Sequence, residues 1–145
     1  MRWQFLSILI GILAASQGCE SSPALSVDSV KAIPSDIDAG DLTHEITLTL
    51  HNRTPHTHWV LRNSLGPWFV WIDRADPQAE EKPCSFSATF YHPQPLRPGD
   101  SWSFTHWARV GEVAQISVDL FDDELSVEQQ WHATRIWSER VAISP

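Results

Sequence analysis

The chain is poor in basic residues and has only one tyrosine and one methionine, Met1. Its two lysines, Lys31 and Lys82, lie far apart in the sequence, and the formal net charge is −8 at pH 7. Binding to nucleic acids requires clustered Lys and Arg side chains that neutralise phosphates. The composition therefore argues against a nucleic-acid partner, and no basic amphipathic stretch indicates direct contact of a helix with a membrane.

Sequence motifs of common enzymes are also missing. The chain contains no Gly-x-Ser-x-Gly, His-Glu-x-x-His or Cys-x-x-Cys motif, and no phosphate-binding glycine loop. Ser, His and Asp are all present, but a catalytic triad is defined by geometry that composition does not reveal. We therefore expect a protein that is not an enzyme and that carries no cofactor.

The one long apolar run lies at the N-terminus. Arg2 precedes an apolar stretch from Phe5 to Ala15, which is followed by small residues and Cys19. A run of about eleven residues is too short to span a bilayer, which takes ~20, but it suits an export signal. We expect residues 1–18 to be a signal peptide, residues 19–24 a tether, and residues 25–145 a single domain.

The segment around Cys19 resembles the lipobox of bacterial lipoproteins, in which a small residue, here Gly18, precedes the lipidated cysteine. That family usually has Leu, Val or Ile at the position that is Ser16 in this chain. The resemblance implies lipidation of Cys19 and a location in the bacterial cell envelope, on a membrane facing the periplasm. Secretion after ordinary cleavage and a retained anchor remain alternatives. An unlipidated Cys19 could instead form a disulfide with Cys84 in an oxidising periplasm.

Alternation of apolar and polar residues predicts short β-strands along most of the remaining chain. In residues 43–51 it places Ile46, Leu48 and Leu50 on one face, and in residues 101–106 it does the same for Trp102, Phe104 and His106. Helical periodicity is lacking, apart from one turn at residues 126–131. Seven or eight strands separated by turn signals predict an all-β, immunoglobulin-like β-sandwich. Other expected elements are strands near residues 25–32, 58–62, 67–73, 86–90, 114–120 and 141–143, and a long turn at Pro93, Pro95, Pro98 and Gly99.

A family resemblance is carried by the runs ITLTLHNRT, HWVLRNSLGPWFVWIDRAD and PLRPGDSWSFTHW. They resemble the intracellular proteinase inhibitor-type domain, in which a strand ending in Asn, here Asn52, precedes a polar turn. A Leu-x-Pro-Gly-Asp turn, here Leu96 to Asp100, then leads into a strand ending near a Trp, here Trp107. The ending WHATRIWSERVAI is similar to the last strands of secreted bacterial immunoglobulin-like domains. The resemblance covers about residues 44–143 and implies an immunoglobulin-like fold and, as one option, protease inhibition.

A long acidic segment from Asp73 to Cys84 departs from that family pattern. A sandwich needs only a short link between the two strands that this segment joins, so the segment is either a neutral insertion or a recognition loop. The candidate residues for contact with a partner are Asp73, Arg74, Asp76, Gln78, Glu80 and Glu81.

Seven histidines raise the question of a metal site. His56 and His58 have the spacing of neighbours on one strand face, and His51 is close in sequence, which makes these three weak candidate ligands. The sequence indicates no further ligand with a fixed direction, so we expect no metal site.

These observations predict an exported, lipid-anchored cell-envelope protein that acts as a non-catalytic binding or assembly module. Its expected partners are the membrane, through the lipid, and an envelope protein. A protease inhibitor and a periplasmic metal-binding protein are the alternative functions.

Overall fold

A computed structural model describes residues 22–84, 90–129 and 132–145. The predicted signal peptide, Cys19, Trp131 and most of the predicted strand at residues 86–90 lie outside the described residues. Within them, the elements in chain order are β1 (Ala24–Ala32), β2 (His44–His51), β3 (His58–Asn63), β4 (Gly66–Pro67), β5 (Phe69–Asp73), β6 (Lys82–Pro83), β7 (His92–Leu96), β8 (Ser101–Ala108), β9 (Val113–Leu120), α1 (Glu124–Gln129), β10 (Thr134–Trp137) and β11 (Val141–Ala142).

The first sheet has the antiparallel order β1-β2-β8. Its register pairs Ile46, Leu48 and Leu50 with His106, Phe104 and Trp102, respectively. The three aliphatic side chains are fully buried. The inward-facing rows predicted from alternation are therefore confirmed for both strands, and they form one side of the core.

The second layer consists of two further antiparallel sheets, in the orders β10-β9-β5-β6 and β4-β3-β7, and β11 also pairs with β9. A bridge between Trp59 and Phe121 links these sheets. In the larger sheet, Phe69 pairs with Val118 and both side chains are buried. The core lies between the two layers, and the all-β sandwich predicted from the sequence is confirmed.

The number of strands exceeds the predicted seven or eight because three of the described strands, β4, β6 and β11, are only two residues long. Gly66 in β4 shows why such a short strand is specific. A Cβ at this position would lie 2.6 Å from Cβ of Phe104, and its φ of +146° is one that L side chains rarely adopt. Glycine therefore allows the β3–β4 turn to pack directly on β8.

The prediction of a long turn from Pro93 to Gly99 is wrong in its first half. Residues His92–Leu96 form strand β7, and Pro93 and Pro95 pair with Leu61 and Trp59. β7 lies at the edge of its sheet. An edge strand tolerates proline because a missing N–H there costs no ladder hydrogen bond. The helix α1 begins at Glu124, two residues before the expected helical turn at 126–131, and residues 130 and 131 lie outside the described ranges. No described helix is long and apolar enough to cross a membrane.

The register defines two ends of the sandwich. At the N-terminal end, Ala24 pairs with His51, which pairs with Ser101 on the next strand. At the opposite end, Ala32 pairs with His44, which pairs with Ala108. Because β9 starts at Val113, soon after Ala108, the turn between β8 and β9 also belongs to the opposite end.

Candidate binding surfaces

The acidic loop, defined as residues Asp73–Glu81, lies at the opposite end of the sandwich. The backbone N–H of Arg74 donates a 2.7 Å hydrogen bond to the carbonyl of Val113. Asp73 Oδ1 accepts hydrogen bonds from the N–H groups of Ala75, at 2.9 Å, and Val113, at 3.3 Å. Because the Asp73 carboxylate at the end of β5 accepts these bonds, the chain turns back toward β6.

Side chains also attach both ends of the acidic loop to the outer face of the large sheet. Arg74 Nε donates to Gln115 Oε1 at 3.1 Å, and its guanidinium lies 5.5 Å from the centre of a Trp137 ring. At the far end, Glu81 forms a 2.7 Å ion pair with Arg135. The segment that the sequence presents as an insertion is therefore an ordered hairpin.

The remaining candidate residues form the tip of this hairpin. Asp76 Oδ1 accepts a 2.9 Å hydrogen bond from the N–H of Gln78, so Asp76 supports the turn. Gln78 and Glu80 are exposed. Of the six predicted contact residues, these two are the ones best placed to meet a partner.

The three candidate metal-binding histidines lie in or beside one turn at the N-terminal end, and two of them have other hydrogen-bond partners. His51 Nδ1 lies 2.8 Å from Ser101 Oγ, and His58 Nε2 lies 3.1 Å from Thr54 Oγ1. Burial lowers the pKa of His58, while His56 is exposed. In the described part of the chain, no three His, Cys, Asp or Glu side chains are grouped as metal ligands would be.

The same turn is organised by Asn52, which is 1% exposed. Its Nδ2 donates to the carbonyls of His56, at 2.8 Å, and Leu96, at 2.9 Å. Its Oδ1 accepts from the N–H of Thr54, at 3.0 Å, and from the Thr54 hydroxyl, at 2.7 Å. The amide thus uses both of its hydrogens and accepts two bonds, which marks Asn52 as a structural residue.

An aromatic cleft of about 470 Å³ opens at the opposite end. Phe69 and Trp71 come from β5 and meet His106 and Trp107 from β8, where the two layers face each other. Among the described residues, the lining comprises Leu42, Glu45, Phe69, Trp71, Cys84, Thr105, His106 and Trp107. Alternation in the sequence identified the inward direction of His106, but the cleft depends on how two distant strands meet and carries no local signal.

His106 brings a buried ring nitrogen without a described hydrogen-bond partner into this cleft. It is 8% exposed, and its Nε2 has no hydrogen-bond partner among the described residues. The ring lies 4.8 Å from Trp71 and 5.8 Å, edge-on, from Phe69, measured between ring centres. Burial in these aromatic surroundings lowers the pKa of His106 to about 4, so the imidazole is neutral near pH 7.

A second incompletely bonded group, Glu112, lies in the turn between β8 and β9. Its side chain is largely buried at 7% exposure, and Oε2 accepts a 3.2 Å hydrogen bond from the N–H of Arg109. Oε1 has no hydrogen-bond partner in the described ranges. Burial raises the pKa of this carboxyl group.

Cys84 is a buried free thiol at the edge of the aromatic cleft. Its Sγ lies 3.4 Å from the hydroxyl of Tyr91, and burial raises the pKa of that phenol. The thiol packs as a small apolar residue at the margin of the core. The predicted lipidation of Cys19 concerns a residue outside the described ranges.

Comparison with known proteins yields similar folds. No family model matches the chain, and no curated protein matches it. A solved structure determined as a Northeast Structural Genomics Consortium target has a TM-score of 0.55 at 10% identity, with 86% of this chain and 87% of that chain covered. A second structure, provisionally described as an ApaA protein from Bordetella pertussis, has a TM-score of 0.53 at 13% identity, with 86% and 96% covered. At these identities the similarity concerns the fold alone.

Proposed function

We propose that the chain is an exported, non-catalytic binding module of the bacterial cell envelope, anchored through Cys19, that binds a partner protein at the end opposite its anchor. The observation that carries this proposal is the register of the first sheet. It puts Ala24, where the domain begins, at one end, and the acidic loop and the aromatic cleft at the other.

The length of the tether supports this arrangement. Residues 19–23 span at most about 18 Å when fully extended, since a residue covers roughly 3.6 Å. The nine residues of β1 then carry the chain about 30 Å along the sandwich. A lipid on Cys19 would hold the N-terminal end near the membrane and direct the opposite end away from it.

The composition of the opposite end supports the binding of another protein. Trp107, Val110 and Ile37 are large apolar side chains with 37%, 44% and 45% exposure. Exposed acidic residues lie at the same end, both in the acidic loop and at Asp36, Asp38 and Asp41 between β1 and β2. An apolar centre with a charged rim is typical of protein interfaces, and the acidic rim favours a partner with a basic contact surface.

The anchor is tested by replacing Cys19 with Ala in the full chain. We expect the variant to lose acyl mass, measured by intact-mass spectrometry, and to leave the membrane fraction. Cys84→Ala is the matched control, because this thiol is buried, and it should retain both the acyl mass and the membrane location. A free Cys19 thiol in the mature wild-type protein would refute the anchor.

The binding end is tested with a photo-crosslinking amino acid placed at Gln78 in the acidic loop and, as a control, at Arg97 near the N-terminal end. Both side chains are exposed, so either substitution should preserve the fold. In intact cell envelopes we expect a discrete protein adduct from position 78 and none of the same mass from position 97. The same adduct from both positions, or none from position 78, would contradict the proposal.

A further inference from the structure

A shallow depression on the β3–β7 pair contains an unusual arginine. The register places Arg62 directly opposite His92, and Val60 opposite Gln94, so the side chains of Arg62, His92 and Gln94 share one face. The depression measures about 540 Å³ and is lined by Arg62, Asn63, Ser64, Phe90, His92 and Gln94. It is separate from the acidic loop and the aromatic cleft.

Arg62 is held in place by an aromatic ring. Its guanidinium carbon lies 4.1 Å from the centre of a Trp102 ring. Arg109 and Arg135, by contrast, form ion pairs with Asp41, Asp119 and Glu81. Among the described residues Arg62 is the one partly buried arginine, and no ion pair with its side chain is found there.

The Arg62 guanidinium retains hydrogen-bonding capacity, at least at its buried Nε. Stacking on Trp102 orders the guanidinium and consumes none of its five N–H donors. The buried Nε has no acceptor within the described ranges. A partly desolvated guanidinium is stabilised most by a planar, charged acceptor such as a carboxylate or a phosphate.

The surroundings of Arg62 favour an external anion over an internal one. None of the described side chains that line the depression is acidic, although the chain has 18 Asp and Glu residues and a net charge of −8. Asn, Ser, His and Gln side chains supply further hydrogen-bonding groups around the guanidinium. A negatively charged group that entered would meet a cation and neutral polar groups without repulsion from a neighbouring carboxylate.

We propose that this depression binds a small anionic group, a carboxylate or a phosphate, with Arg62 as the charged ligand and His92 and Gln94 as neighbouring hydrogen-bonding groups. The anion can belong to a soluble molecule or to a lipid headgroup. Arg62 stacks on Trp102, which follows Ser101 at the N-terminal end. A lipid on Cys19 would hold this end near the membrane, so the experiment compares lipid headgroups with soluble anions. The proposal does not depend on the partner surface at the opposite end.

The test follows the Trp102 indole N–H and the Arg62 Nε–H by NMR, in the full chain as expressed and in a neutral detergent. Inorganic phosphate, acetate, and short-chain phosphatidylglycerol are titrated at constant ionic strength, with chloride and short-chain phosphatidylcholine as controls. We expect saturable shifts at both groups with phosphate or acetate and none with chloride. A response to phosphatidylglycerol at lower concentration than to phosphate, and none to phosphatidylcholine, would assign the site to a headgroup.

Arg62→Gln should weaken anion binding by roughly tenfold or more, because one charge-assisted contact is lost. Arg97→Gln removes an exposed arginine outside the depression and should leave binding unchanged. If Arg62→Gln does not fold, Arg62→Lys keeps the charge and loses the planar donor set, and it should still weaken binding severalfold. Equal affinity in wild type and the folded Arg62 variant, or no saturable shift with any anion, would overturn the proposal.

Discussion

The two ends of the sandwich differ in how completely their buried polar groups are hydrogen-bonded. At the N-terminal end, the Asn52 amide donates two hydrogen bonds and accepts two. At the opposite end, His106 Nε2 and Glu112 Oε1 have no partner among the described residues. The Asn52 turn therefore satisfies its buried amide internally, whereas these two groups at the opposite end are left without a described partner. Three other buried atoms, Arg62 Nε, Asn63 Nδ2 and Ser117 Oγ, also lack a partner among the described residues.

This difference separates a structural role from a potential binding role. A fully bonded amide fixes the path of the chain, and nothing is gained by exposing it to a partner. An unsatisfied buried group has a free-energy cost that a sequence usually avoids, so its presence calls for an explanation. Two of the unsatisfied groups, His106 and Glu112, lie at the end that holds the aromatic cleft and the acidic loop, which is the end that we propose for binding, and Arg62 lies in the separate depression on β3 and β7.

The most severe way to break the comparison is Asn52→Ala. It leaves the carbonyls of His56 and Leu96 and the N–H of Thr54 without their partner in a buried turn. We expect the free energy of unfolding to fall by about 3 kcal/mol or more. Chemical denaturation measures this loss, and His56→Ala, which removes an exposed side chain from the same turn, should change stability by less than about 0.5 kcal/mol. Similar effects of the two substitutions would mean that the Asn52 bonds do not hold the turn.

A pH titration of stability sharpens the comparison at the opposite end. The pKa of His106 is about 4 in the folded protein and 6.5 ordinarily, so protonation favours the unfolded state. Its contribution is fully present above pH 6.5 and is lost as the pH falls toward 4, by about 3 kcal/mol in total. The raised pKa of Glu112 acts in the opposite direction, because its ionisation at higher pH destabilises the fold.

The variant His106→Leu isolates the histidine contribution from that of Glu112. At pH 7 its free energy of unfolding should lie within about 1.5 kcal/mol of the wild-type value, because an apolar side chain of similar size replaces a neutral ring. Between pH 6.5 and 4 it should become progressively more stable than wild type. Parallel stability curves for the two proteins across this pH range would contradict a buried, neutral His106.

The smallest expected effect concerns the attachment of the acidic loop. Glu81 and Arg135 form an ion pair in which the side chains are 43% and 36% exposed, and Arg135 retains Asp119 when Glu81 is changed. Glu81→Gln should therefore lower stability by about 0.5 kcal/mol or less, and added salt should remove the difference. A loss several times larger, seen by thermal melting, would show that the loop is part of the folding unit.

Local patterns in the sequence predicted much of the sandwich because they depend on neighbouring residues. The alternation that places Trp102, Phe104 and His106 on one face is a property of a single strand, and the structure confirms this inward-facing row. β7 was missed because the prolines at 93 and 95 signal a turn unless the strand lies at an edge. Edge position depends on sheet order, which no single segment encodes.

The candidate sites were less accessible to prediction for the same reason. The sequence identified the acidic loop by its length and charge, but the contacts of Arg74 and Glu81 with strands β9 and β10 are long-range. The aromatic cleft and the Arg62 depression each arise where strands from distant parts of the chain meet. That no described carboxylate pairs with Arg62 is a property of three-dimensional packing alone.

The proline-containing edge of β7 also affects how copies of the protein meet. Exposed sheet edges can recruit a strand from another chain, which leads to strand exchange and fibrous aggregation. Pro93 and Pro95 offer no N–H to an incoming strand, and Pro83 in the short edge strand β6 lacks one as well. Molecules that meet at these two edges would therefore contact each other through side chains, since the prolines donate no backbone hydrogen bond to a strand of a second copy.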